Sequence, residues 1–234
     1  MRSLILRVRA IAQATPRTRY ILIDLGDHAF EFAAGQAVFA GLAESSVRRP
    51  YSIACSPSQS GQSRALELLV QTDDHAAPDP HLERAGPGTA VVVEGPFGAF
   101  GLPVPLLEPD LMLIAGGTGI APLRSMMWEV LERADQRRIH VAYSARTFEE
   151  FAYREELTAL ASAQRIELAL TVTRDATAEW TGSVGRINEL QVRSMLKSVE
   201  TRCMICGPPG FIADMTSLLK AAGVVDDRIV FEVY

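Results

Sequence analysis

The 234 residues are 48% hydrophobic and 22% charged with a formal net charge of −5, a balance that suits a folded protein and opposes non-specific attraction to nucleic acid. No apolar run reaches the length of a membrane span, and Arg2, Arg7 and Arg9 interrupt the opening apolar residues too often for a secretion signal, so a cytoplasmic, monomeric protein without membrane association is expected. Cys55, Cys203 and Cys206 are too few for a disulfide framework, and a single C-x-x-C falls short of the four ligands of a zinc or iron–sulfur centre, so no metal is expected.

The first hundred residues alternate short β-rich runs with turn signals. Candidate strands cover 3–12, 20–25, 37–41, 51–55, 65–71 and 90–94, and the polar stretch 56–61 reads as a turn. Six strands at this spacing predict an antiparallel Greek-key β-barrel over residues 1–104. The one helix expected there is 80–85, with Asp79 as N-cap and Pro80 at its first position. After Pro103-Val104-Pro105, which reads as a linker, the rhythm changes. Strands at 111–115, 138–143, 166–172, 203–206 and 228–233 alternate with helices at 123–133, 148–161, 187–196 and 211–222. Strands separated by helices require right-handed crossovers, which predicts an α/β doubly wound, five-stranded parallel sheet over 109–234.

The most informative segment is Leu111 through Pro122, an apolar run that ends in Gly116, Gly117, Thr118 and Gly119 and continues into a helix opened by Pro122. A buried strand that delivers a glycine loop and a helix N-terminus offers unpaired N–H groups and a positive dipole end to a pyrophosphate. In the first half, Arg49, Pro50, Tyr51 and Ser52 place a cation, a planar aromatic and a hydroxyl at the start of one strand, with Arg49 and Tyr51 on the same face. Arginine pairs with phosphate, and tyrosine lies on a flat aromatic ligand for about 0.5–1.5 kcal/mol beyond burial. Those are the requirements for holding a phosphorylated flavin.

The segments Arg49–Ser52, Gly116–Pro122 and Cys206-Gly207-Pro208-Pro209, with the terminal Phe231-Glu232-Val233-Tyr234, together resemble the ferredoxin–NAD(P)H reductase superfamily along nearly the whole chain. The resemblance implies a flavin-binding barrel followed by an NAD(P)-binding domain, with FAD, or alternatively FMN, as cofactor and NADPH or NADH as hydride donor. It implies that Arg49 holds a flavin phosphate, Tyr51 stacks on the isoalloxazine and Ser52 bonds near N5, with Pro50 among the cofactor-binding residues. It further implies that Gly116, Gly117, Thr118, Gly119 and Pro122 take the nucleotide pyrophosphate. Cys206, followed by Gly207, Pro208 and Pro209, then lies beside the nicotinamide, Glu232 lies near the flavin, and Tyr234 covers the flavin ring. The implied reaction is hydride transfer from NAD(P)H to bound flavin, then electron delivery to a separate ferredoxin or oxygenase component. Two alternatives stay open: a reductase of free flavin, ferric chelates or quinones, and a non-catalytic protein that only binds nucleotide or relays electrons.

One departure bears on the flavin. Most FAD-binding members carry G-x-x-S at the short barrel helix, where this chain has His75-Ala76-Ala77-Pro78-Asp79-Pro80-His81. A capping Asp79 repels a phosphate, which points to FAD in an altered pose or FMN held by Arg49. For the nicotinamide nucleotide, Ser144, Arg146 and Arg174 resemble positions that read a ribose 2′-phosphate, which favours NADPH.

Overall fold

The computed structural model describes residues 2–72, 82–133, 136–174 and 180–234. Two compact units emerge, one holding residues up to Leu102 together with Arg124–Glu132, the other Pro103–Leu123 together with Arg133–Tyr234.

In the first unit the alternating apolar pattern yields β1 (Arg2–Thr15), β2 (Thr18–Asp24), β3 (Ala37–Leu42), β4 (Arg49–Ser52), β5 (Ala65–Gln71) and β6 (Ala90–Phe97). Their order is β4-β3-β6-β1-β2-β5, every pairing is antiparallel, and a bridge between Ile53 and Leu68 brings the two ends together. This is the nearly closed Greek-key barrel that the strand spacing predicts. Alternate residues supply its core, among them Val8, Ile21, Ile23, Val38, Leu66, Leu68, Val91 and Val93. Burying each such side chain is worth about 1.5–3 kcal/mol.

The stretch expected as a turn at 56–61 is instead a helix, α1 (Pro57–Ser63). Ser56 accepts from the Gln59 N–H, the Gln59 side chain accepts in turn from the Ser56 N–H, and Pro57 starts the first turn, so capping makes the helix without an apolar face. Of the helix expected at 80–85, Leu82–Arg84 form a single 3-10 turn, while the Asp79 cap and the stretch His75 to His81 lie outside the described residues.

The second unit contains β7 (Asp110–Gly116), β8 (Arg138–Ala145), β9 (Glu167–Val172), β10 (Ser183–Val184), β11 (Arg202–Gly207) and β12 (Ile229–Val233). Its helices are α2 (Ile120–Glu132), whose later turns belong to the first unit, α3 (Arg154–Ser162), α4 (Glu189–Met195) and α5 (Pro209–Ala221). The sheet is parallel in the order β10-β9-β8-β7-β11-β12. The expected five strands are thus corrected to six, because Ser183 and Val184 add to the edge against Thr171 and Val172. Both residues are exposed, so no apolar run announces them.

Every residue of β7 is buried, as a strand covered on both faces must be. One face of the sheet, carrying Met112, Ile114, Cys203 and Ile205, packs against Val192 and Met195 of α4 and Ile212, Met215 and Leu219 of α5. Expected as one helix, 148–161 is broken: Phe148–Glu150 make a 3-10 turn, Tyr153 adopts a left-handed φ of 57°, and α3 starts after it. Chain order reverses between β7 and β11, and in open α/β sheets ligands bind outside the carboxyl ends of the strands at that point.

Candidate functional site

In the barrel unit the flavin candidates sit on β4. Arg49, Tyr51 and Ser52 pair with Ala40, Val38 and Ala37 of β3, and exposed Pro50 points away between Arg49 and Tyr51. The Tyr51 ring packs on the barrel core. Its hydroxyl is buried and meets no protein partner, and burial pushes the phenol up to about 12, with Arg49 pulling down and Glu83 pushing up. A buried hydroxyl left without a partner costs free energy, so natural proteins seldom keep one unless a ligand completes it. A flavin would fit this arrangement, since a polar group on it would supply the bond the Tyr51 hydroxyl lacks. The chain beyond Ser52 is fixed within the same unit. Arg124 Nη1 donates to the Ala54 carbonyl at 2.8 Å and Ser125 Oγ to the Cys55 carbonyl at 2.7 Å.

In the other unit the expected nucleotide residues gather at the carboxyl ends of β7, β11 and β12. Gly116 ends β7, Gly117–Gly119 form a 3-10 turn, and Pro122 lies in the first turn of α2. Two glycines there are obligatory. Gly117 holds φ at 55°, and a Cβ on Gly119 would stand 2.2 Å from the Cys206 carbonyl oxygen. The loop therefore packs directly on the end of β11, backbone against backbone.

Strand register brings the remaining candidates together. Ala115, Cys206 and Glu232 are successive partners across β7, β11 and β12, which puts the Cys206 thiol and the Glu232 carboxyl side by side on one face. Cys206 falls on the face opposite Cys203, whose side chain belongs to the α4 and α5 core. Burial pushes the Cys206 thiol up, and the neighbouring Glu232 pushes it further; burial also raises the Glu232 carboxyl. Gly207 and Pro208 then lead into α5, with Pro209 as its first residue. The Tyr234 hydroxyl donates to the Gly116 carbonyl at 2.7 Å, which places it on the glycine loop.

Beyond the ends of β8 and β9 lies a cleft of about 470 Å³ lined by Ser144, Thr173, Arg174, Arg186, Pro208 and Asp214, among others. Arg146 is exposed on the adjoining loop, and its carbonyl accepts from the Arg174 N–H at 2.8 Å. Sequence reasoning finds Ser144 and Arg174 but misses Arg186, whose guanidinium pairs with Asp214 of α5 at 3.1 Å. The partners are 28 residues apart, so no local motif could link them. Among the described residues no three His, Cys, Asp or Glu side chains group as a metal site, and no helix is long and apolar enough to cross a membrane.

A flavin-type barrel joined to a doubly wound nucleotide domain defines the class of two-domain flavin and nicotinamide oxidoreductases. Residues 6–101 match the oxidoreductase FAD-binding domain family and residues 113–217 the oxidoreductase NAD-binding domain family. The chain is 33% identical over 189 residues to ferredoxin–NADP reductase B of Sorangium cellulosum, covering 77% of this chain and 74% of that protein. It belongs to the ferredoxin–NAD(P)H reductase superfamily. It is also 25% identical over 228 residues to the anthranilate 1,2-dioxygenase electron transfer component of Acinetobacter baylyi, covering 96% of this chain and 65% of that protein. A component of the Na(+)-translocating NADH-quinone reductase of Actinobacillus pleuropneumoniae is 30% identical over 79% of this chain, which spans only 48% of that relative's length. Among solved structures, a ferredoxin NADP+ reductase from Neisseria gonorrhoeae with bound FAD and NADP superimposes with a TM-score of 0.83 at 21% identity, covering 100% of this chain and 99% of that one. A cytochrome P450 reductase from Amycolatopsis gives 0.87 at 24%, covering 99% and 69%. At these identities the structures attest the fold.

Proposed function

We propose that this chain oxidises NAD(P)H through bound FAD and delivers the electrons to a separate acceptor protein, a ferredoxin or an oxygenase component. The observation that carries the reading is the convergence at the topological switch point: the Gly116–Gly119 loop, Cys206 and Glu232 meet at the carboxyl ends of the paired strands β7, β11 and β12. Hydride transfer asks little acid–base work of a protein and much positioning, with donor and acceptor atoms held about 3–3.5 Å apart. FAD, when bound, supplies the hydride acceptor and a route for electrons to leave singly or in pairs.

The protein's part is to bind and orient. Arg49 neutralises a flavin phosphate, the Tyr51 ring supports the isoalloxazine while its hydroxyl gains the bond it lacks, and Ser52 offers a hydroxyl near the ring nitrogens. Backbone N–H groups of the Gly116–Gly119 loop hold the nucleotide pyrophosphate, and the neutral Cys206 thiol packs beside the nicotinamide. Arg174, Arg186 and Ser144 line the cleft that takes a ribose 2′-phosphate, with Arg146 at its margin, which favours NADPH over NADH. Tyr234 and Glu232 complete the nicotinamide side. Three free cysteines fit the reducing cytoplasm.

The test is the absorption spectrum of the isolated protein, followed by anaerobic addition of NADPH and then NADH. Bound flavin gives a yellow protein whose long-wavelength band bleaches with either nucleotide, faster with NADPH. A protein that retains no flavin, or whose flavin band survives both nucleotides, refutes the assignment. Mass spectrometry of the released flavin identifies it, and FMN alone would overturn FAD.

A further inference from the structure

The cleft of about 470 Å³ beyond β8 and β9 carries charges of both signs. Arg174 and Arg186 supply two guanidiniums, and Asp214, in the first half of α5, supplies a carboxylate whose Oδ2 lies 3.1 Å from Nη1 of Arg186. Two cations alone would suit a dianionic ribose 2′-phosphate, and the carboxylate between α5 and Arg186 works against it. The ion pair does little for the fold. With side-chain exposures of 84% for Arg186 and 48% for Asp214 it is a solvated pair, screened by water and free to open.

A guanidinium has more donors than one carboxylate fills, so Arg186 can hold Asp214 and a ligand oxygen together. The sign of the carboxylate then decides which ligand gains. A free ribose 2′-hydroxyl can donate to it, as to the acidic residue of NAD-binding folds, whereas a phosphate in the same place is repelled. We propose that Asp214 is a specificity-determining residue: it restrains the preference of this cleft for NADPH and lets NADH serve as a second donor. This rests on the assignment of the cleft to the ribose 2′ position. A dianion about 6 Å from a carboxylate in water-like surroundings loses about three- to tenfold in affinity once screening by salt is included. Exchanging a charged acceptor for a neutral one costs a ribose hydroxyl about two- to fivefold.

The experiment is calorimetric titration of the flavin-loaded wild type and Asp214→Asn with NADP+ and NAD+. The variant, which keeps the size of the side chain and removes its charge, should bind NADP+ about three- to tenfold more tightly and NAD+ about two- to fivefold more weakly. Because the gain for NADP+ is relief of repulsion, it should shrink as salt is raised. A merely structural role would move both nucleotides in the same direction and would be indifferent to salt. Arg174→Ala, titrated alongside, tests the cleft itself and should weaken NADP+ alone. Unchanged affinities in Asp214→Asn, or a shift common to both nucleotides, overturn the role of Asp214 while the selective loss in Arg174→Ala keeps the cleft assignment standing. Equal losses for NADP+ and NAD+ in Arg174→Ala overturn the cleft as a 2′-phosphate site, and the role of Asp214 with it.

Discussion

Replacing Tyr51 by Phe should move the stability of the apoprotein and its affinity for flavin in opposite directions. In the flavin-free barrel the Tyr51 hydroxyl is buried without a partner, at a free-energy cost of about 1–3 kcal/mol. The side chain is only partly buried as a whole, so the lower end applies, and Phe should raise apoprotein stability by about 1 kcal/mol. For a unit of this size that is roughly 4 °C in Tm. With FAD bound the same hydroxyl is a contact, and its removal should weaken flavin binding about fivefold. Alkaline pH provides a second signature. Burial raises the folded phenol from its ordinary 10 to about 12, so the neutral form's advantage is fully present below pH 10 and is lost as pH rises through 12. The Tyr51→Phe protein should therefore lose less stability than wild type across that window. Calorimetric melts of the apoprotein and quenching of FAD fluorescence on titration measure both effects. An apo Tyr51→Phe protein that melts no higher than wild type and binds FAD equally well would show that the orphaned hydroxyl is not a cofactor contact.

Gly119→Ala forces a Cβ to 2.2 Å from the Cys206 carbonyl oxygen, so the loop must shift; expected are a loss of about 1–3 kcal/mol in chemical denaturation and a sharply raised KM for NAD(P)H in ferricyanide reduction. A normal KM would remove the loop from the nucleotide site. Arg174→Ala and Arg186→Ala should each lower kcat/KM for NADPH about tenfold and leave that for NADH nearly unchanged, and parallel losses for both nucleotides would exclude 2′-phosphate recognition. Burial raises the Glu232 carboxyl, so its contribution is present while it is protonated and fades as pH rises through the raised value. Glu232→Gln should therefore match wild type in urea denaturation below about pH 4 and exceed it at neutral pH, whereas a constant difference across pH would contradict the burial argument.

How much of this molecule is legible in its sequence depends on whether a feature is made by neighbours along the chain. Strand β7 reads directly, because burial on both faces demands an unbroken apolar run and its glycines follow at once. The barrel strands read from alternation, although β1 runs from Arg2 to Thr15, beyond the expected 3–12, since pairing with β2 carries it on. Helix α1 escapes detection because only Ser60 of its residues is buried, leaving no apolar period to find. The Ser56–Gln59 capping box is its available signal. Nothing local marks the left-handed Tyr153, a non-glycine residue at φ 57° that splits the expected helix.

The site divides in the same way, and the part hidden from sequence explains its chemistry. Motifs identify Cys206 and Glu232 separately, but only the parallel register of β11 and β12 makes them partners. That adjacency has an electrostatic consequence. Each is raised by burial, and a charged Glu232 would raise the thiol further, so the thiol is held neutral by its surroundings from two directions. A thiolate beside a nicotinamide would compete as a nucleophile and would stabilise the oxidised, cationic ring against the reduced one. With the nicotinamide docked as proposed, a neutral, polarizable sulfur would do neither and would fill space against the ring. On the proposed assignment the Cys206 thiol packs against a hydride donor and acts neither as nucleophile nor as base, in keeping with a reaction carried by two cofactors.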